Sequence, residues 1–475
     1  MRKRVLLLML TCWNFGALAQ QYGMYNTGTL FDSFENPSQK VFQVDSSRKY
    51  AFNFLLPTIA LDATFTGPAQ QSFKDLVFKS LINGDLPIGE NKNNTLAVNS
   101  NNYLLMFKIF KNIYWNREVG FSWQIRQSGY IRTTNESLVL LDNIRRFSSP
   151  EDFKPDMFNN RGYNQLYHQF SMTYREDLTR RIGLGAKLSL LSGAVYNKFD
   201  IERSDIRMEE SGYAVNLNGT YRSSFGFDTL DVTTVLPDFK NPGLSVSLSA
   251  NYKAPGGWYL LGNLKDLGLI RWNRSSYTYD FSGDVLVDNT NSSGARRDML
   301  KDVKSFLVRN SAQGSIIAPT DGKAEVLLEK DMDWYRPNVI LSKSLFYPGG
   351  DAALINHFEV NHFLFTVSGG YNFNNYFKLG GQAMYKTPNF ELFLGSEQLF
   401  KTYYSGKNAI FRSSANGRGY TAASVYFGLG LKFGPVREHP LNARSIPGVD
   451  NLKQESPGFF QKLRSKIQRK NGRRE

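Results

Sequence analysis

The chain has 475 residues, a net charge of +15, one cysteine and a 14% aromatic content. A single cysteine excludes a disulfide framework and a thiolate metal cluster. Beyond the first 19 residues no apolar run approaches the ~18 to 20 residues of a membrane helix, which excludes a helical membrane bundle.

The N-terminus reads as an export signal. Arg2, Lys3 and Arg4 form a basic region, Val5 to Leu10 begin an apolar core, and Ala17-Leu18-Ala19 is a small-x-small cleavage site. Residues 1–19 are expected to be removed, so that the mature chain starts at Gln20. The rival reading makes Cys12 a lipoprotein cysteine, but Met9-Leu10-Thr11 before it is a poor lipobox. Because Cys12 leaves with the signal, the mature chain has no cysteine, as is usual for bacterial envelope proteins.

Alternation of apolar and polar residues then recurs along most of the chain. Between 73 and 81 a helical spacing intervenes, with Phe73, Leu76, Val77 and Leu81 on one face, and a short loop helix is the favoured reading over a lumen plug. Tyr103, Leu105, Phe107 and Ile109 lie on one face of a strand. So do Val119, Phe121, Trp123 and Ile125, then Phe170, Met172 and Tyr174, then Ile182, Leu184, Ala186, Leu188 and Leu190. Residues 223–240 break the regular exchange of short turns and long loops, which calls for a strand at 230–236 or one long inner turn. Leu244, Val246, Leu248 and Ala250 alternate with three serines. A second helical spacing, at 297–307, groups Leu300, Val303 and Leu307. Further strands are expected at 339–346, 358–371, 376–385 and 390–400.

The total is about fourteen strands, many of them ~10 residues long, the length a tilted strand needs to cross a bilayer. The polar faces carry Ser, Gly, Thr, Gln and Lys, as a hydrated lumen requires, and aromatics gather at strand ends as in interfacial girdles. The final strand, 420–433, is the clearest. Val425, Phe427, Leu429, Leu431 and Phe433 occupy one face, and Ser424, Tyr426, Gly428, Gly430 and Lys432 the other. Within it Tyr426, Gly428, Leu431 and Phe433 match the closing-strand signal of Gram-negative outer-membrane barrels.

Gly434, Pro435, Pro440, Pro447 and Gly448 open a tail, 434–475, with ten Lys/Arg and four Asp/Glu. A short helix after Ser456-Pro457 would put Phe460, Leu463 and Ile467 on one face, flanked by Lys462, Arg464 and Lys466. In the periplasm such a basic amphipathic element suits anionic lipid or an acidic partner.

The chemistry of an enzyme is not visible. His357 and His362 are five apart in a strand-like stretch and so face opposite ways. His168 borders a strand, as a lumen or interface residue would, and Asp331 and Asp333 flank a turn. The sequence has no nucleophile elbow, phosphate loop, zinc-helix motif or calcium loop. No catalytic, cofactor or metal residue is assigned.

Several segments together resemble an uncharacterised family of Bacteroidota envelope barrels. They are Glu35-Asn36-Pro37-Ser38, Asn83-Gly84-Asp85-Leu86, Asn241-Pro242-Gly243-Leu244, the run from Leu264 to Trp272, and Gly395-Ser396-Glu397-Gln398-Leu399-Phe400. In the run from Leu264 to Trp272, Leu269 stands where that family's signature has Phe. The resemblance spans most of 30–433. It implies a barrel like those of hydrophobic-substrate channels, related to the barrels of type IX secretion and gliding machinery, and it carries no known activity. The basic tail departs from it.

The resulting expectation is an all-β chain: a signal (1–19), a transmembrane antiparallel barrel (20–433) and a basic periplasmic tail (434–475). Its expected role is a channel or structural barrel for a small or apolar solute. The alternatives are a membrane anchor for an envelope complex and a soluble periplasmic β protein. Expected partners are outer-membrane lipid, the barrel assembly machinery during insertion, and a periplasmic partner for the tail, with no nucleic acid and no cofactor.

Overall fold

The computed structural model describes residues 22–436 apart from 42, 44–45, 81–85, 87, 89–91, 113–116, 143–153, 209–211, 227–235, 289–304 and 306–310. Beyond 436 it describes residues 458–460, 462 and 465. The export signal lies outside the described residues.

Nineteen β segments form one closed sheet. They make fourteen staves, because several staves are broken along their length. β1 (Arg48–Phe52) and β2 (Ile59–Thr66) together form the first, and both pair with the next strand and with the last. β3 (Asn93–Asn112), β4 (Arg117–Thr134), β5 (Arg161–Asp177) and β6 (Ile182–Met208) follow. β7 (Gly212–Ser223) pairs with the upper half of β6, and β8 (Pro242–Ala254) with the lower half. β7 and β8 therefore occupy one stave position beside β6. The strand considered at 230–236 lies, apart from Leu236, outside the described residues.

β9 (Trp258–Trp272) and β10 (Tyr277–Asp288) form the next stave, and β11 (Ser311–Gln313), β12 (Ile316–Pro319) and β13 (Lys323–Lys330) the one after. β14 (Tyr335–Ser344), β15 (Gly350–Val360), β16 (Phe363–Asn372), β17 (Tyr376–Lys386), β18 (Phe390–Ser396) and β19 (Thr421–Val436) complete the ring. The stretch 358–371, read as one strand, contains a turn at 361–362, and His362 sits in that turn rather than in a strand. The stretch 390–400 ends as a strand at Ser396.

Alternation sorts the two faces. Leu188, Leu248, Leu264, Ile317, Val339, Leu354, Val367 and Leu379 point outward and are between 44% and 66% exposed, while their neighbours in sequence are buried. Water would oppose an apolar belt continuous around a barrel, whereas lipid favours it. Trp258, Trp334, Phe363 and Phe433 border the belt at one rim, and Tyr371, Phe373 and Phe377 at the other. The first rim joins strands by tight turns, such as 255–257 and 361–362. The second carries the longer connections and, among the described residues, the helices α1 (Gln70–Lys74, continued as a π turn to Lys79), α2 (Asn135–Asp142) and α3 (Leu399–Phe411).

α1 behaves as a loop helix. Phe73 stacks on Phe65 at 4.1 Å in a cluster with Ala69, Leu86, Val139, Met157 and Phe158. Of the second helical spacing, 297–307, only Ser305 is described.

Candidate functional site

The lumen is filled by the chain's own residues 22–41, a possibility the sequence reading did not single out. Their local structure is set by a cap. Thr29 accepts from the Asp32 amide at 3.1 Å, and the Asp32 carboxylate accepts from Thr27 and Thr29, so the short helix α0 (Leu30–Glu35) begins there. Asn36-Pro37 ends it. A short, irregular segment leaves many backbone groups unpaired, and inside a barrel only the wall can satisfy them.

The wall supplies those partners with charged side chains. The Tyr22 amide donates to Glu397 at 3.0 Å and the Leu30 amide to Glu391 at 2.6 Å. The Val41 amide donates to Glu118 at 3.2 Å. Lysine and arginine take the carbonyls: Lys108 reaches Ser33 at 3.3 Å, Arg175 reaches Ser38 at 2.8 Å, Lys386 reaches Gly28 at 2.9 Å and Lys432 reaches Val41 at 2.9 Å. His357 Nε2 donates to the Tyr25 carbonyl at 2.8 Å, and its Nδ1 is hydrogen-bonded with the Thr366 hydroxyl at 2.7 Å.

Two further features lock the segment. Glu35 pairs with Lys265 and accepts from the Tyr103 hydroxyl at 2.6 Å. Burial alone would raise its carboxyl, but Lys265, Arg126 and Lys187 hold it well below the usual carboxylate range. Tyr22, Tyr25, Phe31 and Phe34 form an aromatic core with Tyr103, Phe393 and Tyr426; Tyr22 stacks on Tyr426 at 4.2 Å and on Phe31 at 5.1 Å. Two small cavities beside the lumen wall measure about 30 Å³ and about 20 Å³.

The wall has its own buried charge centre. Asp266 sits at a bulge with φ of +49°, which turns its carboxylate inward to Lys187 at 2.9 Å, Gln169 at 2.8 Å, Ser247 at 3.1 Å and Arg126. This gives a physical role to the run from Leu264 to Trp272. Lys265 binds the plug, Asp266 gathers the wall's cations, and Trp272 is buried on Tyr196 at 5.3 Å.

The closing-strand residues fall as the alternation expects. Tyr426 is fully buried on the lumen side, Gly428 also faces the lumen, and Leu431 and Phe433 face outward. Gly428 is needed there, because a Cβ would overlap the Phe393 ring. Of the tail residues, Phe460 lies 5.6 Å from Tyr174 at the tight-turn rim, and Lys462 is exposed. Leu463, Arg464, Lys466 and Ile467 lie outside the described residues. His168 accepts from the Trp123 indole at 3.2 Å on the outward side of β5. Asp331 caps the turn it was assigned to, accepting from the Asp333 amide at 3.1 Å.

A model of a family of unknown function, DUF5723, matches residues 46–397. Among solved structures, a Pseudomonas aeruginosa FadL homologue is similar at 9% identity and a TM-score of 0.43, over 88% of this chain and 100% of that one. The P. putida toluene transporter TodX is similar at 7% identity and a TM-score of 0.41, over 86% and 95%. No curated protein matches the chain.

Proposed function

We propose that this chain, which belongs to the DUF5723 family, is an outer-membrane channel that rests closed, with residues 22–41 as its gate. The observation that carries the reading is the chemistry of the plug seat. The plug is held largely through its backbone, by charged wall side chains such as Glu118, Arg175, Glu391 and Lys432. Once the plug withdraws, water can solvate those same groups, so the vacated lumen is a hydrated path. Of the small or apolar solute expected from the sequence, a lumen lined with carboxylates and lysines favours a small polar one. The outward apolar belt supports a place in the membrane and opposes the soluble periplasmic reading.

The anchor reading retains one supporting observation, the return of Phe459 and Phe460 to Tyr174 at the tight-turn rim. Vesicle swelling separates the two. Dextran-loaded vesicles carrying the wild-type chain should swell slowly in isotonic arabinose, and those carrying a chain without residues 22–41 several times faster. A deleted chain that is folded by heat-modifiable migration, yet swells no faster than empty vesicles, would sink the channel reading and favour a structural barrel.

A further inference from the structure

β18 has seven residues, and its pairing with β19 stops at Tyr426. The next part of β19, from Thr421 to Val425, has strand β2 on one side and, among the described residues, no strand on the other. Helix α3 fills that gap with its polar face. Thr402 accepts from the Ser424 amide at 2.8 Å and donates to the Ser424 carbonyl at 3.1 Å, and Ser405 donates to the Ala422 carbonyl at 2.8 Å. Asn408, buried, donates to Asn416 at 3.1 Å. Thr402 and Ser405 thus satisfy the strand edge that β18 leaves open, while Asn408 ties down the loop that leads into β19.

The helix is therefore turned inside out relative to a soluble one. Leu399, Tyr403 and Ile410 share one stripe and Phe400, Tyr404 and Phe411 the next, as their spacing requires. They are 48%, 64%, 78%, 56%, 38% and 69% exposed. This arc continues the lipid belt: Leu399 lies over outward-facing Gly381 of β17, beside exposed Phe377 and Leu379. From 398 to 420 the chain carries Lys401, Lys407, Arg412 and Arg418 and no acidic residue.

We propose that α3 is an interfacial anchor, its apolar arc buried among the acyl chains of the leaflet at the long-loop rim and its cations bound to phosphate groups of anionic lipid. Lys407 falls between the two apolar stripes, where its long stem can lie along them and carry the ammonium up to the headgroups, and a helix of this kind lies in the headgroup boundary. Basic side chains near a negatively charged leaflet are attracted to it. The proposal rests on the barrel being membrane-embedded, and the experiment tests that premise separately.

In a chain with Cys12→Ser, single cysteines replace Ile410, Leu379 in the belt, or Arg207 at the far end of β6, and each carries an environment-sensitive fluorophore. The chains are reconstituted in phosphatidylcholine vesicles containing phosphatidylglycerol, with a spin label on one or the other lipid. The Leu379 probe should be quenched and the Arg207 probe should not; an unquenched Leu379 probe would defeat the membrane reading itself. With Leu379 quenched, the Ile410 probe should also be quenched and blue-shifted, more strongly by labelled phosphatidylglycerol, and K407Q/R412Q should remove that preference. Water-like, unquenched emission at Ile410 overturns the anchor. Equal quenching by the two lipids overturns the headgroup recognition.

Discussion

A single missing side chain sets how closely the plug can seat. Gly185 of β6 faces the lumen where Pro37 and Ser38 pass, and a Cβ there would overlap their backbone. Backbone cannot rotate aside as a flexible side chain can, so Gly185→Val must push the plug away from Arg175 and Ser249, its partners at Ser38. The variant is expected to fold and migrate as the wild type does but to swell in arabinose faster. Unchanged swelling would mean that the plug can shift without opening the lumen. Gly185 was legible as a polar-face residue of a strand. Its role was not, because the contact depends on a segment some 150 residues earlier in the chain, and no periodicity reports it.

Broken staves carry a different demand. Between β1 and β2 the backbone turns through positive φ at Phe54 and Leu55 and presents Phe54, Leu55 and Leu56 outward, 53%, 67% and 41% exposed. Strand β3 opposite would lose ladder partners there. Asn53 replaces them: its Oδ1 accepts from the Met106 amide at 3.0 Å, and its Nδ2 donates to the Leu56 and Leu104 carbonyls at 3.0 and 3.2 Å. In an apolar surround an unpaired backbone group costs about 1–3 kcal/mol. Asn53→Ala should therefore lower the urea midpoint of the reconstituted barrel markedly, and Phe54→Ala, which removes only lipid-facing area, should lower it less. The reverse order would show that water reaches the break. Strand identity was readable from alternation because one face meets lipid and the other meets polar groups. Among the elements that escaped is α3, where 390–400 read as one strand: Leu399 and Phe400 extend the apolar pattern of β18 although the period changes after Ser396.

At the scale of the whole molecule, the proposed closure would be an electrostatic equilibrium between plug and wall, with a definite pH dependence. Glu35 is held below its ordinary value of 4.5, so its contribution to docking is present above that value and is lost only as pH falls through the depressed one. Burial raises Asp32 from 3.8 to about 6, against the hydrogen bonds from Thr27 and Thr29, so its contribution is full below 3.8 and fades as pH rises through 6. Going from pH 7.5 to pH 5 therefore loses nothing at Glu35 and gains at Asp32. Swelling of wild-type vesicles should be no faster at pH 5 than at pH 7.5, and acid-triggered opening in that window would contradict this balance. The barrel itself was legible in the sequence, down to about fourteen staves, because each stave repeats one local rule. The plug was not, because its polar atoms find their partners on many staves at once.

Those scattered partners impose an order on assembly. Tyr22 rests on Tyr426 of β19, and the Tyr22 and Leu30 amides bind Glu397, just past the end of β18, and Glu391 within it. Half of the seat is thus built from the end of the barrel that is synthesised last. Bringing together groups separated by 375 residues, as at Tyr22 and Glu397, carries a loop-closure cost that only a completed ring repays. The plug can settle only after the last strand has joined the first, so its resistance to protease is a timer for ring closure, rising with the final event of folding and not with the first.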